Sequence, residues 1–337
     1  MQEQEVIRMF REDFVWGVAS SAYQVEGTDA ADGRGACVWD MFAADGRVFE
    51  HQNADTSCDH MHHYKEDIAL MKHLGIRAYR FSLNWARILP EGTGRVNEKA
   101  IAMYRDMILT MKENGITPYL TLFHWEFPQA LYERGGWQNP DVVQWFGEYA
   151  KVVAENFSDI CEYFITINEP QCVVGLGHLS GVHAPGVKLP VAQTFLVAHH
   201  LLMAHGQAVI NLRRYAVRPV KIGFAPTGGV AYPYTDRPED IEAAKKVYFG
   251  FYNPIDNWTW NVSWFSDPVF LGHYPEEGLK KFAPYLPEIT QEDMELIYQP
   301  LDFMGQNIYN GYYVRAGADG EPEFVDRAPG FPKTGPD

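Results

Sequence analysis

"HMHHYKEDIALMKHLGIRAYRFSL", residues 60–83, reads as a helix, a glycine stop and a strand in direct succession. Met61, Tyr64, Ile68 and Met71 recur at steps of 3, 4 and 3, the period of a helix with one buried stripe. Gly75 supplies a left-handed C-terminal stop, and "AYRFSL" follows as a strand. The same grammar returns in "NEKAIAMYRDMILTMKENGITPYLTLFHW" (97–125). There Asn97 is placed to cap the helix, Ile101, Tyr104, Ile108 and Met111 repeat the steps, Gly115 stops it and "TPYLTL" is the strand. A third copy opens with Asn139 as cap and Pro140 at the first helical position. It runs through Val142, Val143, Phe146, Tyr149, Ala150 and Val153 into "EYFITIN".

Further strands are expected at 14–20, 220–226 and 301–309, which with 78–83, 117–122 and 163–168 makes six. Strands alternating with helices imply right-handed βαβ units and a parallel sheet, and near-continuous apolar strands imply burial on both faces. Polar residues gather where the strands end: His124 and Trp125, Asn168 and Glu169, Asn307 and Tyr309. A (β/α)8 TIM barrel puts its active site on that face. A doubly wound sheet also uses strand ends, but the chain has neither a GxGxxG after its first strand nor a P-loop. The expected fold is therefore α/β: one barrel domain over residues 1–337, incomplete, with about six of its eight strands. After Tyr309 the sequence is rich in Gly, Pro and charge and holds no further βα unit, so the last two units are expected to be missing. Unpaired strand edges and an open core would leave such a chain poorly stable or prone to aggregate.

Composition narrows the partners. Apolar residues make up 46% and charged residues 21%, a globular balance. The 44 acidic against 28 basic residues give −16, which argues against nucleic acid and against an anionic membrane surface. The first residues contain no apolar core of a signal peptide, and no stretch is apolar enough to span a membrane. Cys37, Cys58, Cys161 and Cys172 form no paired spacing and read as free thiols in a reducing cytoplasm. The run "CDHMHHYKED" (58–67) offers ligand-type residues at a spacing that matches no zinc motif, so no metal is expected. Aromatics, at 14%, provide core and platforms for the apolar faces of sugar rings.

The chemistry centres on "YFITINEP" (163–170), an apolar strand that ends on Asn168 and Glu169. Pro170 is expected to hold Glu169 extended. A carboxyl group partly buried at a barrel mouth has its pKa raised toward neutrality, as a general acid needs. By residue type alone, His124 could equally be a satisfied core histidine, Gln24 a polar loop residue and Trp125 core packing.

Six collinear stretches carry a resemblance: "FVWGVASSAYQVEG" (14–27), "YRFSLNWARILPEG" (79–92), "TLFHWEFPQAL" (121–131), "TINEP" (166–170), "HAPG" (183–186) and "DFMGQNIYNGYYV" (302–314). The chain closely resembles the β-glucosidases of glycoside hydrolase family 1 over essentially its whole length. The resemblance implies a retaining β-glycosidase acting on terminal β-D-glucosides without a cofactor. It makes Glu169 the general acid/base, Asn168 the partner of the sugar 2-hydroxyl, Gln24 and His124 the grip on the 3- and 4-hydroxyls, and Trp125 a pocket wall. Arg80 and Tyr309 match positions that contact the nucleophile carboxylate, with Asn307 in support. Glu126 stands where many relatives carry Asp and is expected to support the site indirectly; Glu26 is expected to be structural.

One part departs from the family. Its nucleophile lies in a Glu-Asn-Gly motif ending the seventh strand, and no such string occurs here. Glu113, in "KENG" (112–115), falls in the last turn of a helix, away from the strand ends. The chain is thus expected to be a fragment of a longer enzyme, to be completed by a second polypeptide, or to be a truncation that keeps sugar binding only. A 6-phospho-β-glucosidase and a non-catalytic sugar-binding protein remain alternatives, and oligomeric state is not legible.

Overall fold

The computed structural model describes residues 10–28 and 32–325. Strands β1 (Gly17–Ala19), β2 (Ala78–Ser82), β3 (Thr117–Phe123), β4 (Tyr163–Asn168), β5 (Lys221–Ala225), β6 (Val230–Pro233), β7 (Phe303–Met304), β8 (Gly311–Ala316) and β9 (Pro322–Val325) form two sheets. The larger has the order β1-β2-β3-β4-β5-β7 with every pair parallel, and it curls into a half-barrel backed by helices. The smaller pairs β6 with β8 in parallel and β8 with β9 antiparallel.

Helices α1 (His60–His73), α2 (Glu98–Glu113) and α3 (Val142–Phe157) follow the sequence periodicity. Ile101, Tyr104, Ile108 and Met111 are all buried, as are Tyr64 and Ile68 of the first copy, whose Met61 and Met71 are half-buried. Gly75 and Gly115 each stop their helix at φ +76°, and a Cβ there would meet nothing within 4 Å, so backbone conformation alone calls for glycine. The caps differ from expectation. Asn97 stands at the N-terminus of α2, but its side chain donates to the Asp32 carbonyl at 2.8 Å instead of capping. α3 begins at Val142, not Pro140, because the Asn139 side chain turns back to accept from the Asp141 N–H at 2.9 Å.

The outer strands are shorter than their apolar runs suggested: 17–19 within 14–20, and 303–304 within 301–309. Each has one neighbour in the sheet, and single backbone bonds continue the pairing past its ends, from Arg77 N–H to the Trp16 carbonyl at 3.1 Å and from Asn307 N–H to the Pro226 carbonyl at 3.0 Å. The curl still brings β7 close to β5: a Cβ on Gly223 would fall 2.4 Å from the Phe303 ring. That ring stands edge-on to Tyr119, which stacks on Tyr163 at 4.4 Å, closing the interior at the end remote from the site.

Two features escaped the sequence reading. Helix α4 (Val191–Tyr215) is buried along most of its length and lies against α3, so it shows no clear one-sided stripe. The β8–β9 hairpin follows Tyr309, where no further βα unit was expected; it adds none to the barrel and builds the small sheet beside it instead.

The free edge at β1 exposes apolar side chains, with Val15, Trp16 and Val18 each at least 39% accessible. Such an edge templates association with other chains. Purified chain is expected to self-associate as concentration rises, and Val18→Lys should shift that onset upward by several-fold, read by light scattering. Identical onsets for both proteins would show that this edge is not the contact.

Candidate active site

Strands β2 and β4 and the segments that follow β3, β4 and β7 bring six of the expected residues into one hydrogen-bonded network. Arg80 points from β2 and donates from Nε to Thr121 Oγ1 at 3.0 Å, from Nη1 to Asn307 Oδ1 at 3.1 Å and from Nη2 to Asn168 Oδ1 at 2.5 Å. No described carboxylate lies in salt-bridge range of Arg80. Burial lowers its pKa, and the charge of nearby Glu169 acts the other way.

Asn307 uses both amide hydrogens. One goes to Asn168 Oδ1 at 2.9 Å and the other to Glu169 Oε1 at 2.5 Å. Asn168, itself fully buried, donates from Nδ2 to His124 Nε2 at 3.2 Å, and its carbonyl accepts from Trp125 Nε1 at 3.0 Å. His124 is held down to about 3, first by burial and then by the Arg80 charge, so it is neutral. With Nε2 accepting, its proton resides on Nδ1, a buried atom that has no partner among the described residues.

Local backbone aims the acid. The β4–β5 register runs Ile165↔Gly223 and then Asn168↔Ala225, so β4 carries one residue more than its neighbour. Such a bulge bends the strand and re-aims its end. Glu169 then adopts φ +47° and ψ +67°, a left-handed conformation rather than the extended one expected before proline. Its N–H bonds the Ala225 carbonyl at 2.8 Å, and its carbonyl accepts from the Cys172 N–H at 3.0 Å. Those two bonds override the pre-proline preference, at a cost on the order of 1–3 kcal/mol for a non-glycine residue. Trp125 is a second residue at positive φ, +88°.

Glu169 is 5% exposed and lines a cleft of about 820 Å³ together with Gln24, Trp125 and Tyr309. An adjoining cleft is lined by Gln24, His124 and Trp125, so all eight expected residues belong to this network or its two clefts. Among the described residues, Glu169 is the one Asp or Glu lining the larger cleft. Glu26 is buried elsewhere, bonded by Arg87 Nε at 3.1 Å and Tyr104 Oη at 2.6 Å. His60, His62 and His63 are each bonded to a different carboxylate, Asp67, Asp59 and Glu66, and do not converge.

Two neighbours of the acid went unassigned in sequence. The Cys172 thiol donates to Glu169 Oε2 at 3.2 Å, and burial and that carboxylate both raise its pKa. Its i+3 spacing on the short helix Pro170–Val174 was a readable signal. His183 packs against Trp125 and Trp39 with ring centroids 5.6 and 5.5 Å apart, and burial lowers its pKa. It opens the quoted "HAPG" stretch, but nothing in that string says what the ring touches.

The model of glycosyl hydrolase family 1 matches residues 6–327. The chain belongs to that family. Beta-glucosidase A of Thermotoga maritima is 42% identical over 331 residues, covering 97% of this chain and 71% of the relative. A 1,4-beta-D-glucan glucohydrolase of Thermotoga neapolitana is 41% identical, covering 97% and 75%. The structure of the Thermotoga maritima beta-glucosidase in complex with glucoimidazole superposes at a TM-score of 0.82, covering 94% of this chain and 70% of that one. The six parallel strands are thus part of the family 1 TIM barrel. No described helix is long and apolar enough to cross a membrane.

Burial lowers three histidines, His124 and His205 to about 3 and His178 to about 4. In the unfolded chain each takes up a proton near 6.5, so the unfolded state binds more protons between roughly pH 6.5 and 3. Stability is full above that window and is lost as pH falls through it. Urea unfolding is expected to show this fall, and His205→Gln should flatten the slope by up to about 1.4 kcal/mol per pH unit.

Proposed function

We propose that this family 1 chain is built for retaining hydrolysis of terminal β-D-glucosides, with Glu169 as general acid/base. The observation that carries the reading is the network joining Arg80, Asn168, Asn307 and Glu169 at the strand ends, with Glu169 the single acid among the described residues of its cleft. The relatives named above are a beta-glucosidase and a glucan glucohydrolase, which favours a glucoside over the 6-phospho-glucoside alternative and over a binding protein without turnover.

In this reading the Glu169 proton passes to the glycosidic oxygen as the bond to the anomeric carbon breaks. The carboxylate left behind then takes a proton from the water that releases the sugar. Asn307 holds Oε1, and Oε2, which also accepts from the Cys172 thiol, carries the proton. Asn168 has one Nδ2 hydrogen beyond that given to His124, suited to the 2-hydroxyl. Gln24 and His124 line the cleft that would take the remaining hydroxyls, and Trp125 forms a wall.

Retention needs a second carboxylate ~5–5.5 Å from the first. None of the described residues supplies it within the cleft, so it must come from outside them. Arg80, whose guanidinium contacts only neutral oxygens, and the exposed Tyr309 are placed to receive it. The active unit is accordingly a barrel domain completed by two further βα units. Four cysteines without disulfides fit a reducing cytoplasm, and glucoside hydrolysis fits a role in carbohydrate metabolism.

The test joins this chain to the C-terminal portion of the Thermotoga maritima relative beyond the matched stretch. Aryl β-glucoside hydrolysis should appear on joining. Glu169→Gln should then lower kcat/KM by about 10²–10⁴-fold on a poor leaving group and far less on dinitrophenolate, which leaves without a proton. Turnover of the poor leaving group unchanged by Glu169→Gln would remove Glu169 from the acid role.

A further inference from the structure

Gln24 sits on a helix of one turn, Ala22–Val25, too short to fix its own position. Ser21, at its N-cap, makes no side-chain capping bond. The first two N–H groups are instead satisfied from other strands. Ala22 N–H donates to the Ser82 hydroxyl at 2.7 Å, at the end of β2, and Tyr23 N–H donates to Glu126 Oε1 at 2.9 Å, beyond the end of β3. The Ser82 hydroxyl stands 3.5 Å from the same Oε1. A third tie holds the other end of the turn, where the Ser57 hydroxyl donates to the Gln24 carbonyl. The Gln24 side chain itself is exposed and lines both clefts.

Glu126 is equally fixed on its own side. It is the central residue of a three-residue turn closed by Phe127 N–H to the Trp125 carbonyl at 2.9 Å. That turn begins directly after His124. One carboxyl group, 1% exposed, therefore spans the segment that carries Gln24 and the segment that carries His124 and Trp125.

We propose that Glu126 is a positioning residue: its carboxyl, with the Ser82 hydroxyl, caps the helix of Gln24 from a neighbouring strand end and sets that side chain relative to His124. A buried carboxylate with one oxygen lacking any described partner is a costly choice if packing were all that was needed. Burial pushes Glu126 up to about 8, so at neutral pH it is a neutral acid, with Oε1 accepting and the proton on Oε2. Glutamine reproduces that acceptor and that neutral charge. Alanine removes the acceptor and leaves the Tyr23 N–H buried without a partner.

The inference rests on the reading of Gln24 as a contact for sugar hydroxyls, so two measurements are needed. The first is hydrogen exchange at the Tyr23 amide of this chain, with no ligand present. Glu126→Ala should speed it at least tenfold and Glu126→Gln less than threefold. The second is calorimetric binding of deoxynojirimycin and its 4-epimer. Glu126→Ala should reduce their affinity ratio to that of Gln24→Ala, the double variant should lose no more than either single one, and Glu126→Gln should keep the ratio within about threefold. A merely structural role would weaken both ligands alike and add to Gln24→Ala. Unchanged Tyr23 exchange in Glu126→Ala, or an intact epimer ratio, overturns the proposal. Failure of the unaltered chain to bind either compound counts against the sugar-site reading instead, and the exchange result still decides the positioning.

Discussion

A guanidinium set among strand ends must find acceptors for its N–H groups, and Arg80 finds them on three other segments. Thr121 lies on β3, Asn168 ends β4 and Asn307 follows β7. Because the acceptors are uncharged, the positive charge is not neutralised by its holders, and the nearby Glu169 charge is what offsets part of its burial. The curl of the sheet is what brings these segments within reach, and the shared bonds in turn hold β7 to the rest although its own pairing with β5 is short. Remove that centre and Asn307 alone still joins Asn168 to Glu169, with no tie left from either to β2 or β3 through the guanidinium.

The barrel type and the strand-end cluster were legible because each rests on local signals. Two helices with the same 3, 4, 3 spacing, each stopped by glycine, specify βαβ units whatever the rest of the chain does. The eight candidate residues lay beside apolar strands, and the fold gathers all of them. What the sequence hid depends on register and on distant partners. Pro170 pointed to an extended Glu169, yet the extra residue in β4 and the bond to Ala225 turn it left-handed. Neither the bulge nor that bond leaves a mark in the string "ITINEP". Cys172 could have been placed by spacing on its short helix, whereas the partners of Glu126 lie 44 and 103 residues away. Helix α4 was missed for the opposite reason, since burial over most of its length erases the contrast that makes a stripe visible.

Two of the six described non-glycine residues at positive φ stand at this cleft. Glu169 and Trp125 both hold positive φ on the rim of the same cleft, and each is pinned by bonds from its neighbours. Backbone geometry of this kind persists only where the surroundings over-determine it. The surroundings here are shared side-chain amides and backbone groups of adjacent strands, so the orientation of the acid is inherited from the sheet itself.

The small sheet has a different status. It has its own apolar cluster of Ala243, Ala244 and Val314, separate from the barrel core. Tyr312 and Phe324 of that sheet nevertheless face the large cleft opposite the acid. This wall can therefore vary in sequence while the hydrogen-bonded network around Glu169 stays untouched on its own foundation.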